Sequence, residues 1–366
     1  VAAGDASAVS EDEALRVLSP QAKALLGSRE LVKPFPEGAD DWSHPYYGPD
    51  NNPQSNDKIA KAPYLTQFLA DPRYAPIPQV TVASAGRGFK LFGHVAFKER
   101  EEPWLNTLVA FNGYNGTILW KRAMPPGLMV HRNTIIATPQ TLYVADDKSC
   151  KLIDPATGRL KDEITPPLDI AGGTRWKWMA LENGVLYALI GQQEQKDPVT
   201  KHRRKSHGWP WDNVSKGYNQ PDGLSDGMQA YNAHPWGFGR NVLAIDSKTK
   251  KVLWNYREQE PVDSRAMCMK NGRIYFYRFS SYLTCLNTET GNIIWRKTPE
   301  NAPELFEELG TYLNRQLFDN NWRTVMYLKC SDKALYFAGS QMDKLLAVST
   351  EDGSILWKDP YDNYQL

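Results

Sequence analysis

Residues 281–297 read SYLTCLNTETGNIIWRK. A short apolar run, a polar turn around Asn287 and Gly291, and a β-branched run into Trp295 form a strand–turn–strand signal. The arrangement recurs as LVAFNGYNGTILW at 108–120, NVLAIDSKTKKVLW at 241–254 and LLAVSTEDGSILW at 345–357, with a variant lacking the Trp, CKLIDPATGRLKD, at 150–162. The chain is therefore built of repeats.

A second marker precedes each turn, an aliphatic residue followed by Tyr: Leu142-Tyr143, Leu186-Tyr187, Ile274-Tyr275 and Leu335-Tyr336. Each unit holds at least two hairpins. With the turns superposed, Gly116, Gly158, Lys250, Gly291 and Gly353 share one position, at successive intervals of 42, 92, 41 and 62 residues. Two intervals match the roughly 40–45-residue period of a four-stranded propeller blade. The longer two contain insertions. In the third unit the Tyr-to-turn distance places an insert near 191–240. In the fifth, the extra length includes PELFEELG, where Leu305, Phe306 and Leu309 share one helical face and predict a short helix. The pattern specifies an all-β fold, a β-propeller of four-stranded blades with five repeats visible.

With a Gly-x-x-x-Trp element in its units, the chain resembles the bacterial PQQ-like, or quinoprotein-type, β-propeller repeat family over roughly 75–358. DDWSHPYYGPDNN at 40–52, GWPWDNVSKGY at 208–218 and HPWGFGRNVLAID at 234–246 resemble large multidomain members of that family. The resemblance implies that Trp120, Trp254, Trp295 and Trp357 dock between adjacent blades. Asp162, where Trp is expected, and Lys250, where Gly is expected, depart from the pattern. Such propellers usually have seven or eight blades, and an unclosed last blade leaves an exposed edge strand. The expectation is that a longer chain or another subunit completes the ring.

Residues 1–40 read as an N-terminal helix and linker, the possible tail of a preceding domain, and residues 41–366 as the blades. Ser10-Glu11-Asp12-Glu13 is a capping box, which predicts a helix near 11–26 with Gly27 as its stop, followed by the strand-like RELVKPF. Lys and Arg number 43 against 42 Asp and Glu, a formal net charge of +1, so no global field recruits nucleic acid or an anionic membrane surface. No apolar run is long enough to span a bilayer. A periplasmic or extracellular location follows from the resemblance, with any export signal upstream of Val1. Cys150, Cys268, Cys285 and Cys330 form neither a CxxC pair nor a haem-attachment run and are expected as buried thiols.

The candidate ligand site comes from aligning the units on their Tyr marker. Arg132, Arg175, Arg265 and Arg323 then lie 10 to 13 residues before it, near the innermost strand of four blades. Guanidinium groups converging on one axis repel and lose hydration unless an anion relieves them, and their planar forks match carboxylates. An anionic small molecule, an acidic saccharide or a partner protein segment fits such a funnel. The alternative is that each Arg pairs locally, with Asp263 for example. His131 and Trp176 flank this set and could add ring contacts. The insert supplies His207, Trp209, Trp211, His234 and Trp236 as a lid or loop, with no zinc-type spacing and no metal site assigned. The competing reading is a PQQ-dependent alcohol or sugar dehydrogenase. It requires PQQ with calcium and a carboxylate base; the vicinal Cys pair of the alcohol dehydrogenases is absent, and the catalytic residues remain unassigned.

Overall fold

The computed structural model describes residues 2–3, 9–60, 62, 69–126, 133–146, 148–192, 237–310, 327–338 and 344–360. A small N-terminal unit comes first. Its three-stranded sheet joins β1 (Ala2–Ala3), β2 (Lys23–Leu26) and β3 (Arg29–Val32), with α1 (Glu11–Val17) packed alongside. Ser10 caps the helix as expected, its hydroxyl accepting from the Glu13 N–H at 3.2 Å. The helix is shorter than the sequence predicts, ending at Val17 rather than near residue 26. Pro20 has no N–H and biases Ser19 away from the helical region, so the apolar run beyond it becomes a hairpin that turns at Gly27.

Five four-stranded antiparallel sheets follow, each in sequential strand order. Blade one holds β4 (Ile77–Ser84), β5 (Arg87–Val95), β6 (Thr107–Asn112) and β7 (Ile118–Ala123). Blade two holds β8 (Ile135–Ala137), β9 (Leu142–Ala145), β10 (Cys150–Ile153) and β11 (Leu160–Ile164). Blade three holds β12 (Arg175–Glu182), β13 (Val185–Gly191), β14 (Phe238–Asp246) and β15 (Val252–Asp263). Blade four holds β16 (Met267–Lys270), β17 (Arg273–Arg278), β18 (Tyr282–Asn287) and β19 (Ile293–Lys297). Blade five holds β20 (Tyr327–Cys330), β21 (Ala334–Ala338), β22 (Leu345–Ser349) and β23 (Ile355–Asp359).

Four apolar cores lie between successive blades. The first joins Val82 and Phe89 to Ile135 and Val144; the last joins Tyr277 and Leu283 to Leu335 and Phe337. The short helix predicted before blade five is α2 (Pro303–Leu309), and Leu305, Phe306 and Leu309 bury themselves in that last core. All four cysteines are buried and unpaired. Burial pushes the Cys285 thiol up to about 12 and raises those of Cys150 and Cys268 as well.

The repeated Trp is an inter-blade clamp. Trp120 Nε1 donates to the Pro155 carbonyl of blade two at 3.0 Å, Trp254 Nε1 to Thr288 of blade four at 2.8 Å, and Trp295 Nε1 to Thr350 of blade five at 3.1 Å. Each indole lies over the turn glycine of the next blade. A Cβ on Gly158 would stand 2.6 Å from Trp120, and one on Gly291 would stand 2.7 Å from Trp254. Both glycines also take positive φ, +72° and +71°, which an L side chain resists. Trp357 differs: it is 44% exposed and packs on Tyr336 of its own blade at 6.1 Å, with no following turn among the described residues.

The two departures from the repeat prove to be one. Asp162 stands in the clamp position of blade two and Lys250 in the turn-glycine position of blade three, and Lys250 Nζ bonds Asp162 Oδ1 at 2.5 Å. An exposed ion pair thus replaces an indole on a glycine, and it holds the Asp162 carboxyl below its usual range. Lys250 keeps the glycine-like φ of +62° that the turn demands.

Candidate functional site: the two ends of the propeller axis

The innermost strand of a blade has one free edge, whose N–H groups find no partner in their own sheet. Here that edge is met by residues 42–51, an irregular strap from the stretch DDWSHPYYGPDNN. Trp42 exchanges both backbone hydrogen bonds with Ala83 of blade one, at 2.9 and 2.8 Å. The Ala137 N–H of blade two donates to the Ser43 carbonyl at 2.9 Å. In blade three the Leu181 N–H donates to His44 Nε2 at 3.3 Å. The Met269 N–H of blade four reaches the Pro49 carbonyl at 2.8 Å, and the Cys330 N–H of blade five reaches the Asp50 carbonyl at 3.0 Å.

These five donors are equivalent. In each blade the aromatic marker of the second strand pairs with one residue of the first: Phe89 with Val82, Tyr143 with Ile136, Tyr187 with Ala180, Tyr275 with Cys268 and Tyr336 with Lys329. The donor is always the next residue. The strap therefore meets a collar of five N–H groups, one per blade at one register position, in blade order.

Side chains fasten the strap further. Asn51 is buried, and its Nδ2 donates to the Met267 and Leu328 carbonyls at 2.6 and 2.9 Å, tying blades four and five. Asp50 pairs with Lys270 at 2.8 Å. Asp41 accepts from the Ser84 hydroxyl at 2.6 Å and the Ala85 N–H at 2.8 Å. His44 is 4% exposed; burial lowers its pKa to about 4, and Ser43 Oγ lies 2.8 Å from Nδ1. With Nε2 accepting from Leu181, the proton sits on Nδ1 and the ring is neutral.

Of the predicted arginines, the two among the described residues, Arg175 and Arg265, stand where β12 and β16 begin. Arg175 opens β12, whereas the strap bonds Leu181 six residues on, roughly 20 Å away at 3.3 Å per residue. Arg265 precedes β16 in a single turn of 3-10 helix, Ser264–Ala266. The two start from different environments. Arg265 is chelated by Asp263, Nε to Oδ1 at 2.7 Å and Nη2 to Oδ2 at 2.8 Å, with its guanidinium 5.3 Å from the Phe238 ring. That is the local pairing named above as the alternative. Arg175 is 4% exposed. Trp176 is buried in the core between blades two and three, while Trp178 enters the core between blades three and four. A bulge at Lys177 explains this: Trp176 pairs with Ile190 and Trp178 with Leu189, so the extra residue flips the alternation. Lys177 itself is buried, its Nζ donating to the Gln192 carbonyl at 3.0 Å.

Two strand entrances meet at this end. Asn133 Nδ2 donates to the Ser264 carbonyl at 3.2 Å, joining the residue after Arg132 to the residue before Arg265. Arg132, His131 and Arg323 lie outside the described residues, as do His207, Trp209, Trp211, His234 and Trp236. The insert leaves β13 after Gly191 and returns at Phe238; a Cβ on Gly191 would stand 2.6 Å from the Phe238 carbonyl oxygen, so its two ends are pressed together. Among the described residues there is no cluster of metal-ligating side chains, and no helix is long and apolar enough to cross a membrane.

Sequence reasoning singled out 40–52 by resemblance alone and missed its place on the axis. Its Trp, His, Pro and Asn residues carry no strand period, and the collar it binds is made of backbone groups.

Residues 239–308, from β14 of blade three through blade four into α2, match the family described as outer membrane protein assembly factor BamB. The repeat is thus of the PQQ-like β-propeller type. Among solved structures, BamB from Moraxella catarrhalis is similar at 10% identity and a TM-score of 0.42, covering 78% of this chain and 61% of that one. A computationally designed protein, Ika8, is similar at 10% identity and a TM-score of 0.43, covering 78% and 62%. The chain spans about three-fifths of the length of these structures. Comparison with curated proteins returns no match.

Proposed function

We propose that this chain of PQQ-like propeller repeats is the binding and scaffold module of an exported, periplasmic or extracellular multidomain protein, and that its ligand or partner segment is held near the starts of the innermost strands. The observation that carries the reading is the collar. Residues 42–51 take up one N–H register position on the innermost strands of the five described blades, and the ligand is proposed to sit beyond it, towards the start of β12, six residues before the strap-bonded Leu181. Arg175 and Arg265 start two of the blades there, and the aligned Arg132 and Arg323 precede two others. An anionic small molecule or an acidic saccharide would draw on their charge. The insert at 191–240 springs from the same end of blade three. Its His207, Trp209, Trp211, His234 and Trp236 are proposed as rim contacts. The name of the matched family, an assembly factor, favours a role in holding other proteins rather than in turnover. No observation favours the oxidoreductase reading with PQQ and calcium.

The test is titration of the full chain with PQQ plus calcium and, separately, with an oligouronate. Tryptophan fluorescence and thermal midpoint are read for the wild type and for Arg132→Gln/Arg265→Gln. Saturable binding of either acid, lost in the variant while its near-ultraviolet circular dichroism is kept, supports the charged funnel. Dye reduction with an alcohol or aldose would instead revive the enzyme reading. Acid binding unchanged in the variant, or absent from the folded wild type, removes the arginine funnel and leaves a scaffold acting through its rim loops.

A further inference from the structure

We infer that the collar of five N–H groups is a recognition site for an extended, acceptor-rich peptide, occupied in cis by residues 42–51. The site is made of backbone N–H groups and not of the arginines proposed above, and it does not depend on them. Its donors are the backbone N–H groups of Ala83, Ala137, Leu181, Met269 and Cys330, five residues whose apolar side chains offer no oxygen or nitrogen donor of their own. Blade geometry alone therefore makes the collar, and it reads acceptors spaced along a backbone. This is the logic by which a free strand edge takes an incoming peptide, repeated on five successive blades.

The strap has the character of a bound ligand more than of a core element. It belongs to none of the six sheets, pairing with them only through an isolated bridge at Trp42. Its backbone is bent to fit: Tyr47 and Asn51 take φ of +74° and +58°, conformations that a bulky residue such as Tyr adopts only when its surroundings impose them. Most of its residues retain partial exposure. On its C-terminal side it is tethered by an almost wholly exposed stretch, 52–60. Selectivity lies in few side chains: the Asn51 carboxamide bridging two carbonyls, Asp50 on Lys270, and His44 offering a neutral nitrogen to Leu181. A matching partner is an extended segment with a Pro-Asp-Asn run and an uncharged acceptor side chain upstream. Such a peptide competes with a tethered copy at an effective concentration of order mM for a short linker, so the wild-type chain masks its own site.

The experiment uses a fluorescent peptide of residues 38–54 and the full-length Asn51→Ala chain, in which the strap loses both side-chain bonds to blades four and five. Anisotropy should show saturable binding to the variant, at least roughly tenfold tighter than to the wild type, displaced by unlabelled peptide and not by a scrambled one. Amide exchange at residues 83, 137, 181, 269 and 330 should rise together in the variant and fall again with peptide. No saturable binding by a variant that keeps wild-type near-ultraviolet circular dichroism overturns the inference, as does equal binding of the scrambled peptide. Should the variant not fold, a protease site placed at 53–58 in the otherwise wild-type chain provides the second test. After cleavage, the fragment carrying the strap should co-elute with the body and exchange for labelled peptide within hours. A fragment that never exchanges, or a body that unfolds when it leaves, makes the strap an integral part of the core and refutes the site.

Discussion

Acid should open the collar at blade three before it unfolds the blades. His44 is buried and neutral, with Nε2 accepting from the Leu181 N–H and Ser43 Oγ against Nδ1. Burial lowers its pKa from 6.5 to about 4. Above pH 6.5 the ring is neutral whether the strap is docked or free, and docking keeps its full stability. As pH falls from 6.5 towards 4, the free ring takes up a proton that the docked ring refuses, so stability is lost through that window. The shift corresponds to about 2–3 kcal/mol between pH 7 and 4.5, or roughly a 30- to 150-fold loss of protection at the Leu181 amide after correction for intrinsic exchange. Peptide-resolved hydrogen exchange at the two pH values reads this directly. His94, buried in β5, is lowered to about 4 as well and adds its own acid sensitivity. His44→Gln isolates the strap, because its amide oxygen can accept from Leu181 without titrating. The variant should hold Leu181 protection nearly constant from pH 7 to 4.5. Equal loss in wild type and variant would show that the imidazole is not the acceptor that docks the strap.

The clamps give three further tests by urea denaturation. Trp254→Ala should cost about 2–4 kcal/mol, since it removes an indole wedged on Gly291 and a bond to blade four, whereas Trp357→Ala, with its exposed ring, should change the midpoint little. Gly291→Ala should cost clearly more than Gly184→Ala. Both have positive φ, but a Cβ at 291 meets Trp254 at 2.7 Å, while one at 184 meets nothing within 4 Å. For the substituted clamp, Asp162→Ala should destabilise slightly at low salt and not at 1 M salt, because the pair is exposed and screened. The double change Asp162→Trp/Lys250→Gly should raise the midpoint above wild type by restoring the indole-on-glycine contact; a lowered midpoint would show that blades two and three pack differently from the others.

What the sequence determined by itself is what depends on neighbours along the chain. Turn chemistry at Asn287, Asp154 and Asp246, the run into Trp at 120, 254 and 295, and the single helical face of Leu305, Phe306 and Leu309 are local patterns. Hairpins and a helix turn are short-range events, so four-stranded blades and their spacing could be read directly. Pro20 is equally local: it bars the helix from continuing, although the apolar spacing that follows it is helical. Only the tertiary structure decided that Asp162 and Lys250 are one compensating pair, because a clamp and its receiving turn lie on different blades, 88 residues apart. It alone decided that Arg265 is chelated by Asp263 and that a bulge at Lys177 sends Trp176 and Trp178 into separate cores. The collar was the least legible feature of all. Its five donors are backbone N–H groups, which every residue but proline possesses, and only the arrangement of five blades about an axis brings them to one strap.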